Sequence, residues 1–479
     1  ILEIKKALQF NSYFCKSFIL ALEFCNVEFG TLDVWALFCL YSIFPMKQKA
    51  QQMISKMSGK TLTTQSIIDA VTGHKKAIEC ISLSMIDLMN WMIGSNIDKV
   101  SKNGIVLASV LFGEIDDIGS LQDIVGTLLI QIEIGDDSNK EKVISILELL
   151  SIEHPNKLKS FSQLIQGFLW ANESSKPHLY SVMASITARL TFVTVQDIDS
   201  QQGTQISIGF TKMMSSIHPN IKELGVIGAA VFINRIGEIS NNDMSYLIQK
   251  YASIMSCIDD DPRSVLTFYK HIYQYKNRSE GFNNFLVKKL QSQFYDILND
   301  DSDKKKAKFG LDESSTKSIN LPLCLSGDAK QESISGKKIF ERWKMEVLVF
   351  SSFGISLLLD AHRSIGHDLK KDCNDIFSVS FIMASDDRSS QENAMLLLYA
   401  QSYIMHLLNF FIDGETADEY CVLRMEQLIE IEKNLIDVLR DIDTFEHPFY
   451  GTIFPKHHAF LKKLKEEEDV SQLFIEKYR

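Results

Sequence analysis

The chain is poor in residues that break helices: 479 residues carry only 23 glycines and 8 prolines. So few breakers leave little material for hairpins and tight turns, which disfavours a sheet-rich fold. Cysteine is sparse and scattered, from Cys15 to Cys421, with no CxxC pair. That spacing excludes a small disulfide framework. Cys25 in FILALEFC and Cys39 in DVWALFC lie in apolar runs, which predicts buried free thiols in a reducing compartment. Positive charge is also short, 50 Lys and Arg against 61 Asp and Glu, for a net charge of −11. A generic nucleic-acid binder with a basic pI is therefore disfavoured. A local basic groove remains compatible, because phosphate contacts depend on where charges cluster. Uninterrupted apolar runs are missing too. In SYFCKSFILALEFCNVEFG the run is broken by Lys16, Glu23 and Glu28. Each charge at a bilayer centre costs about 3 kcal/mol, so this segment is expected to be a buried soluble helix, with no membrane partner. The first residue is Ile1, not Met. The chain reads as a fragment, in which a targeting signal would be missing rather than absent.

Catalytic motifs are lacking as well. No GxxxxGK[ST], GxSxG or HExxH occurs. His367-Asp368-Leu369-Lys370 with Asn374 has the outline of a kinase catalytic loop, but its Arg is missing and no Gly-rich loop or DFG accompanies it. His457 and His458 are adjacent, point differently on a helix and have no third ligand at zinc spacing. Gly225 and Gly228 in ELGVIGAAVFI do not form GxGxxG. They are expected to let two helices approach closely. These absences predict a binding scaffold rather than an enzyme, with no catalytic residue, metal ligand or cofactor.

What the sequence does hold is apolar residues at three and four spacing almost everywhere, as in AIECISLSMIDLMNWMIG, EKVISILELLS and AMLLLYAQSYIMHLLNFFI. This periodicity predicts buried helices. Asp261-Pro262 is an N-cap followed by a proline at the first helical position. Ser389-Ser390-Gln391-Glu392 has a capping-box pattern. Short polar joints such as GDDSNKE and NRSEG separate the helices. The expected fold is all-α, an irregular HEAT-like α-solenoid without a strict sequence repeat. Expected core positions include Ile146, Leu149, Ile165, Leu169, Ile227 and Val231. Residues 1–298 are expected to form the solenoid and 339–479 a later helical block. Between them, 299–338 is rich in Asp, Ser and Lys and reads as a linker with one docked extended segment at 319–325.

Several stretches resemble the Fanconi anemia group D2 family in the same order. ELGVIGAAVFINRIGE resembles a small-residue helix that follows the family's ubiquitin-acceptor lysine. VISILELLSIEHP and SFSQLIQGFLWAN resemble the helices before it. FGLDESSTKSINLPLCLSGD resembles the family's linker, LRMEQLIEIEKNLIDVL a later helix, and LDVWALFCLYSIF the earlier solenoid. The likeness runs from about Leu32 to about Asp441 and rests on colinearity. The paralogous group I family is the runner-up, and LGVIGA and INLPL favour group D2.

The resemblance implies a nuclear, non-enzymatic α-solenoid. It implies pairing with the Fanconi anemia group I paralogue to clamp double-stranded DNA in interstrand-crosslink repair. It also implies monoubiquitination by the ubiquitin-conjugating machinery. In the family the acceptor lysine precedes two variable residues and a Ser-Ser pair. Lys212, followed by Met213, Met214, Ser215 and Ser216, fits that frame without a gap, while His218-Pro219 departs from it. Candidate DNA contacts are Lys337, Lys338, Arg342, Lys344, Lys370 and Lys371. A generic HEAT-like adaptor or transport scaffold is the alternative function.

Overall fold

The computed structural model describes residues 2–171, 176–240, 244–298, 353–366, 390–412 and 418–440. These residues form α-helices and no strand. The fold class expected from the periodicity is the one found, all-α and solenoid-like.

The chain divides into two compact units, Ile1–Gly209 and Phe210–Arg479. The first holds α1 (Leu2–Phe10), α2 (Ser12–Phe24), α3 (Thr31–Ser42), α4 (Lys47–Met57), α5 (Thr64–Val71), α6 (Lys75–Glu79) and α7 (Ser82–Ile93). It continues with α8 (Asp98–Glu114), α9 (Ile118–Ile134), α10 (Asp137–Glu153), α11 (Pro155–Lys159), α12 (Ser162–Ala171) and α13 (Pro177–Thr191). The division falls within α14 (Gln201–Met214). The second unit holds α15 (Pro219–Ile239), α16 (Ser245–Ile258), α17 (Pro262–Gln274), α18 (Glu280–Leu298), α19 (Ile355–Ser364), α20 (Ser390–Ile412) and α21 (Asp418–Arg440). The expected linker at 299–338, with its segment at 319–325, lies outside the described residues.

Helices pack against the helix one repeat away as well as against their hairpin partner. In the first unit α8 meets α7, α5 and α10, and α10 meets α9, α8 and α13. In the second, α15 meets α16 and α17, α19 meets α17, α18 and α20, and α20 meets α21. Side-chain bonds reveal the register. Trp35 Nε1 donates to Ala70 O, 35 residues away, and Tyr41 to Asp87, 46 away. Asn103 reaches Leu62 O across 41 residues, Arg189 reaches Ser151 across 38, and Arg263 reaches Glu223 across 40. A spacing of about 40 is that of HEAT-type repeats. The repeat absent from the letters is therefore present in the contacts.

Lys157 illustrates how a joint is closed. Its Nζ donates to the carbonyls of Phe112 (3.4 Å), Gly113 (2.5 Å) and Ile115 (2.7 Å) and to Asp116 Oδ1 (3.1 Å). The C-terminal carbonyls of α8, which have no intrahelical partner, thereby gain a cation that suits the helix dipole.

Some sequence expectations are corrected. AIECISLSMIDLMNWMIG is not one helix: α6 ends at Glu79 and α7 begins at Ser82, with Ile81 N–H turned back to Ile78 O at 3.0 Å. Leu83 is consequently 71% exposed. Helix α2 is not buried all round: it hides Cys15 and Leu22 and turns Tyr13 and Phe24 outward. Ile146, Ile165, Leu169 and Ile227 are core, but Leu149 and Val231 are half-buried. The helical phase explains both. In α10 the inner face runs through Val143, Ile146, Leu147 and Leu150, which leaves Leu149 at its edge. Val231 shares the outer stripe of α15 with Arg235 and Glu238. Cys39 is a buried thiol, as expected, and Cys15 is buried too, whereas Cys25, expected to be buried, is only half-buried, as is Cys257, and Cys80 is exposed. Burial pushes the Cys39 thiol up to about 11.

Candidate functional site

Helix α14 ends in the sequence Phe210-Thr211-Lys212-Met213-Met214. Phe210, Met213 and Met214 share one face by three and four spacing and are buried. They meet the small-residue run of α15. A Cβ at Gly225 would lie 2.7 Å from both Met213 Cβ and the Met214 backbone nitrogen. A Cβ at Gly228 would fall on the ring of Phe210. The expectation that these glycines permit close helix approach is met at both positions.

Lys212 is exposed, beside the buried Met213. Among the described residues it makes no ion pair and no side-chain hydrogen bond. The turn that follows is well defined. Ser215 N–H and Oγ both turn back to Thr211 O, at 3.1 and 3.0 Å, and Ser216 Oγ accepts from His218 N–H at 3.2 Å. His218 is extended (φ −83°, ψ 116°), as a residue before proline prefers. Pro219 then opens α15 at N1, where its missing N–H costs nothing. The departure at His218-Pro219 thus makes a clean helix start.

Lys222 differs from Lys212. Its Nζ lies 2.6 Å from Asp261 Oδ2. Asp261 also caps α17, accepting from Arg263 N–H at 3.2 Å and Ser264 Oγ at 2.7 Å. Burial alone would raise the Asp261 carboxyl, but the bonds from Lys222 and Ser264 outweigh it, and the net shift is downward. A second pair, Arg263 with Glu223 at 3.2 Å, joins the same two helices. The Asp-Pro cap is legible in sequence, but its lysine partner is not, because it comes from the neighbouring repeat.

Lys337, Lys338, Arg342, Lys344, Lys370 and Lys371 lie outside the described residues, as do His367, His457 and His458. Among the described residues no group of three or more His, Cys, Asp or Glu could hold a metal ion. No helix among them is long and apolar enough to cross a membrane.

Comparison with known proteins bears on this geometry. The Fanconi anemia group D2 protein of Gallus gallus is 21% identical over 258 residues, covering 53% of this chain and 18% of that protein. The chain thus matches under a fifth of that relative's length. A family model described as "Fanconi anaemia protein FancD2 nuclease" matches residues 1–258, which include the α14–α15 turn and Lys212. With more than half of the 479 residues matched, the chain belongs to the FancD2 family.

Proposed function

We propose that the chain is a DNA-repair scaffold that works by binding. In this reading it pairs with a Fanconi anemia group I paralogue in the nucleus and closes on duplex DNA during interstrand-crosslink repair. Monoubiquitination at Lys212 holds it closed. Family membership supports the repair role. The observation that supports the acceptor assignment is the contrast between two lysines: Lys212 is exposed and unpaired among the described residues, whereas Lys222 is held by Asp261.

Isopeptide formation needs a mobile amine. The Lys212 nitrogen attacks the ubiquitin thioester carbonyl, the conjugating enzyme's thiolate leaves, and the amine proton passes to solvent. An arginine keeps the positive charge, but its guanidinium stays protonated and is no nucleophile. Both residues are good helix formers, so Lys212→Arg costs little folding energy.

In vitro ubiquitination with the group I partner, duplex DNA, conjugating enzyme and ligase tests the assignment. Wild type and Lys222→Arg are expected to be modified and Lys212→Arg is not. Equal modification of wild type and Lys212→Arg would place the acceptor elsewhere. Recovery of a group I paralogue in a pulldown separates the clamp from a generic HEAT-like adaptor. A nuclease is the opposing outcome: DNA cleavage by the purified chain with Mg²⁺ or Mn²⁺ overturns the non-enzymatic reading.

A further inference from the structure

A cavity opens in the first unit where two helices do not pack together. Helix α10 packs on α9 and α13, and α13 packs on α12, whereas α9 and α12 share no such packing. The space left has a volume of about 200 Å³. Its apolar walls are Ile132 of α9, Ile144 of α10, Phe168 and Leu169 of α12, and Leu179 and Met183 of α13. All of these except the half-buried Phe168 are buried. Walls of this kind offer water few partners: an apolar cavity of about 150 Å³ stays dry and takes benzene. The space therefore suits one large apolar group.

The mouth is charged. Asp137 and Lys176 are exposed there and pair with each other at 2.8 Å. Lys140, about one turn along α10 from Asp137, is half-buried and lines the same cavity. It makes no ion pair among the described residues. Of the charged groups that line the cavity, the ion pair cancels two and leaves the Lys140 ammonium. Glu141, whose charge Lys176 feels, is not part of the lining. An apolar hole with an ammonium at its edge complements an apolar side chain that has a carboxylate beside it.

Helix α12 extends the site beyond the hole. Leu164, Gly167, Phe168 and Ala171 follow three and four spacing and share one face. Leu164 is 45% exposed, Gly167 and Ala171 are exposed, and Phe168 belongs both to this strip and to the cavity wall. A Cβ at Gly167 would meet nothing within 4 Å, so no described residue covers the strip there. A small molecule sized to the hole would leave Leu164 in water. From Phe168 back to Leu164 is one helical turn, about 6 Å of rise. A second helix lying along α12 matches that step with apolar residues at i and i+4.

We propose that this face docks a partner protein through an acidic amphipathic helix. One aromatic side chain enters the cavity, an aliphatic residue one turn away covers Leu164, and a carboxylate beside the anchor pairs with Lys140. The site precedes Lys212 in the chain and does not depend on the acceptor assignment.

Fluorescence anisotropy of the full chain tests it with labelled helical peptides of Glu and Ala that carry a Trp and, one turn away, a Leu. This peptide is expected to bind, and replacing its Trp by Ala weakens it by about tenfold or more. Exchanging its Glu residues for Lys weakens it as well. Lys140→Glu lowers affinity for the acidic peptide by about fivefold. Met183→Phe fills the cavity and brings the Trp peptide down to the level of the Ala peptide. Because Met183 is buried, thermal unfolding is measured alongside, and Leu164→Glu provides a second variant at a partly exposed position. It too weakens the Trp peptide. Equal binding of the Trp and Ala peptides by wild type overturns the proposal, as does undiminished binding of the Trp peptide by a folded Met183→Phe. Undiminished binding by Leu164→Glu reduces the site to a ring-sized hole and overturns the docked helix, and tighter binding of the Lys peptide overturns the acidic partner. Leu164→Glu is expected to be ubiquitinated like wild type, so failure here and failure of the acceptor assignment remain distinguishable.

Discussion

Gly225 and Gly228 both set how the acceptor candidate is presented, and they do so differently. At Gly225 the obstacle to a methyl group includes the main chain of Met214, which cannot move without shifting the last turn of α14. At Gly228 the obstacle is the ring of Phe210, a side chain that can pivot. Overpacking of a close contact costs about 1–3 kcal/mol. Gly225→Ala is expected to lower the urea midpoint and also to slow ubiquitination at Lys212. Gly228→Ala is expected to lower stability with a smaller effect on that rate. Equal modification rates in wild type and Gly225→Ala would uncouple the glycine from the acceptor. The small-residue run is legible as a close-approach surface because few other roles suit Gly-x-x-Gly-Ala-Ala on a helix. The outward turn of Val231 is not, because a run that is apolar on nearly every side carries no sharp phase.

Among the elements, α17 shows how a cap legible in sequence acquires a partner that is not. Asp261-Pro262 marks the start of the helix, and the structure adds Lys222 from α15 to the same carboxylate. Since the folded Asp261 pKa is lowered, its contribution is present above the ordinary carboxylate range and is lost as pH falls through the lowered value. Asp261→Asn can still cap the helix but cannot pair with Lys222. The stability gap between wild type and Asp261→Asn, measured by urea unfolding, is therefore expected to be widest near neutral pH and to close under acid. A gap independent of pH would mean that the ion pair contributes nothing. The break between α6 and α7 is hidden in the sequence because Cys80 and Ile81 continue the apolar pattern, and propensity alone marks no stop there. The exposed face of α2 is hidden for a related reason: apolar content predicts burial only when a neighbour covers each face.

For the molecule as a whole, the acidic balance and the local lysines make separate statements. A chain of net charge −11 repels DNA at long range, so duplex binding is expected to be weak alone and stronger with the group I partner. Each phosphate contact should add about −0.9 to the slope of log affinity against log salt. A titration indifferent to salt, with or without the partner, would remove phosphate contacts from the account. The all-α class can be read directly from the periodicity and the scarcity of breakers. The repeat cannot, because it is written in pairings such as Asn103 with Leu62 and Arg263 with Glu223 rather than in recurring letters. That register has a consequence for changes in chain length. Each pairing measures its distance from the adjacent repeat alone, and no pairing keeps a running total along the chain. A residue added in a polar joint can be taken up where it occurs. The same residue added inside a helix turns the rest of that helix by about 100°, carrying inner-face residues outward up to the next joint and no further.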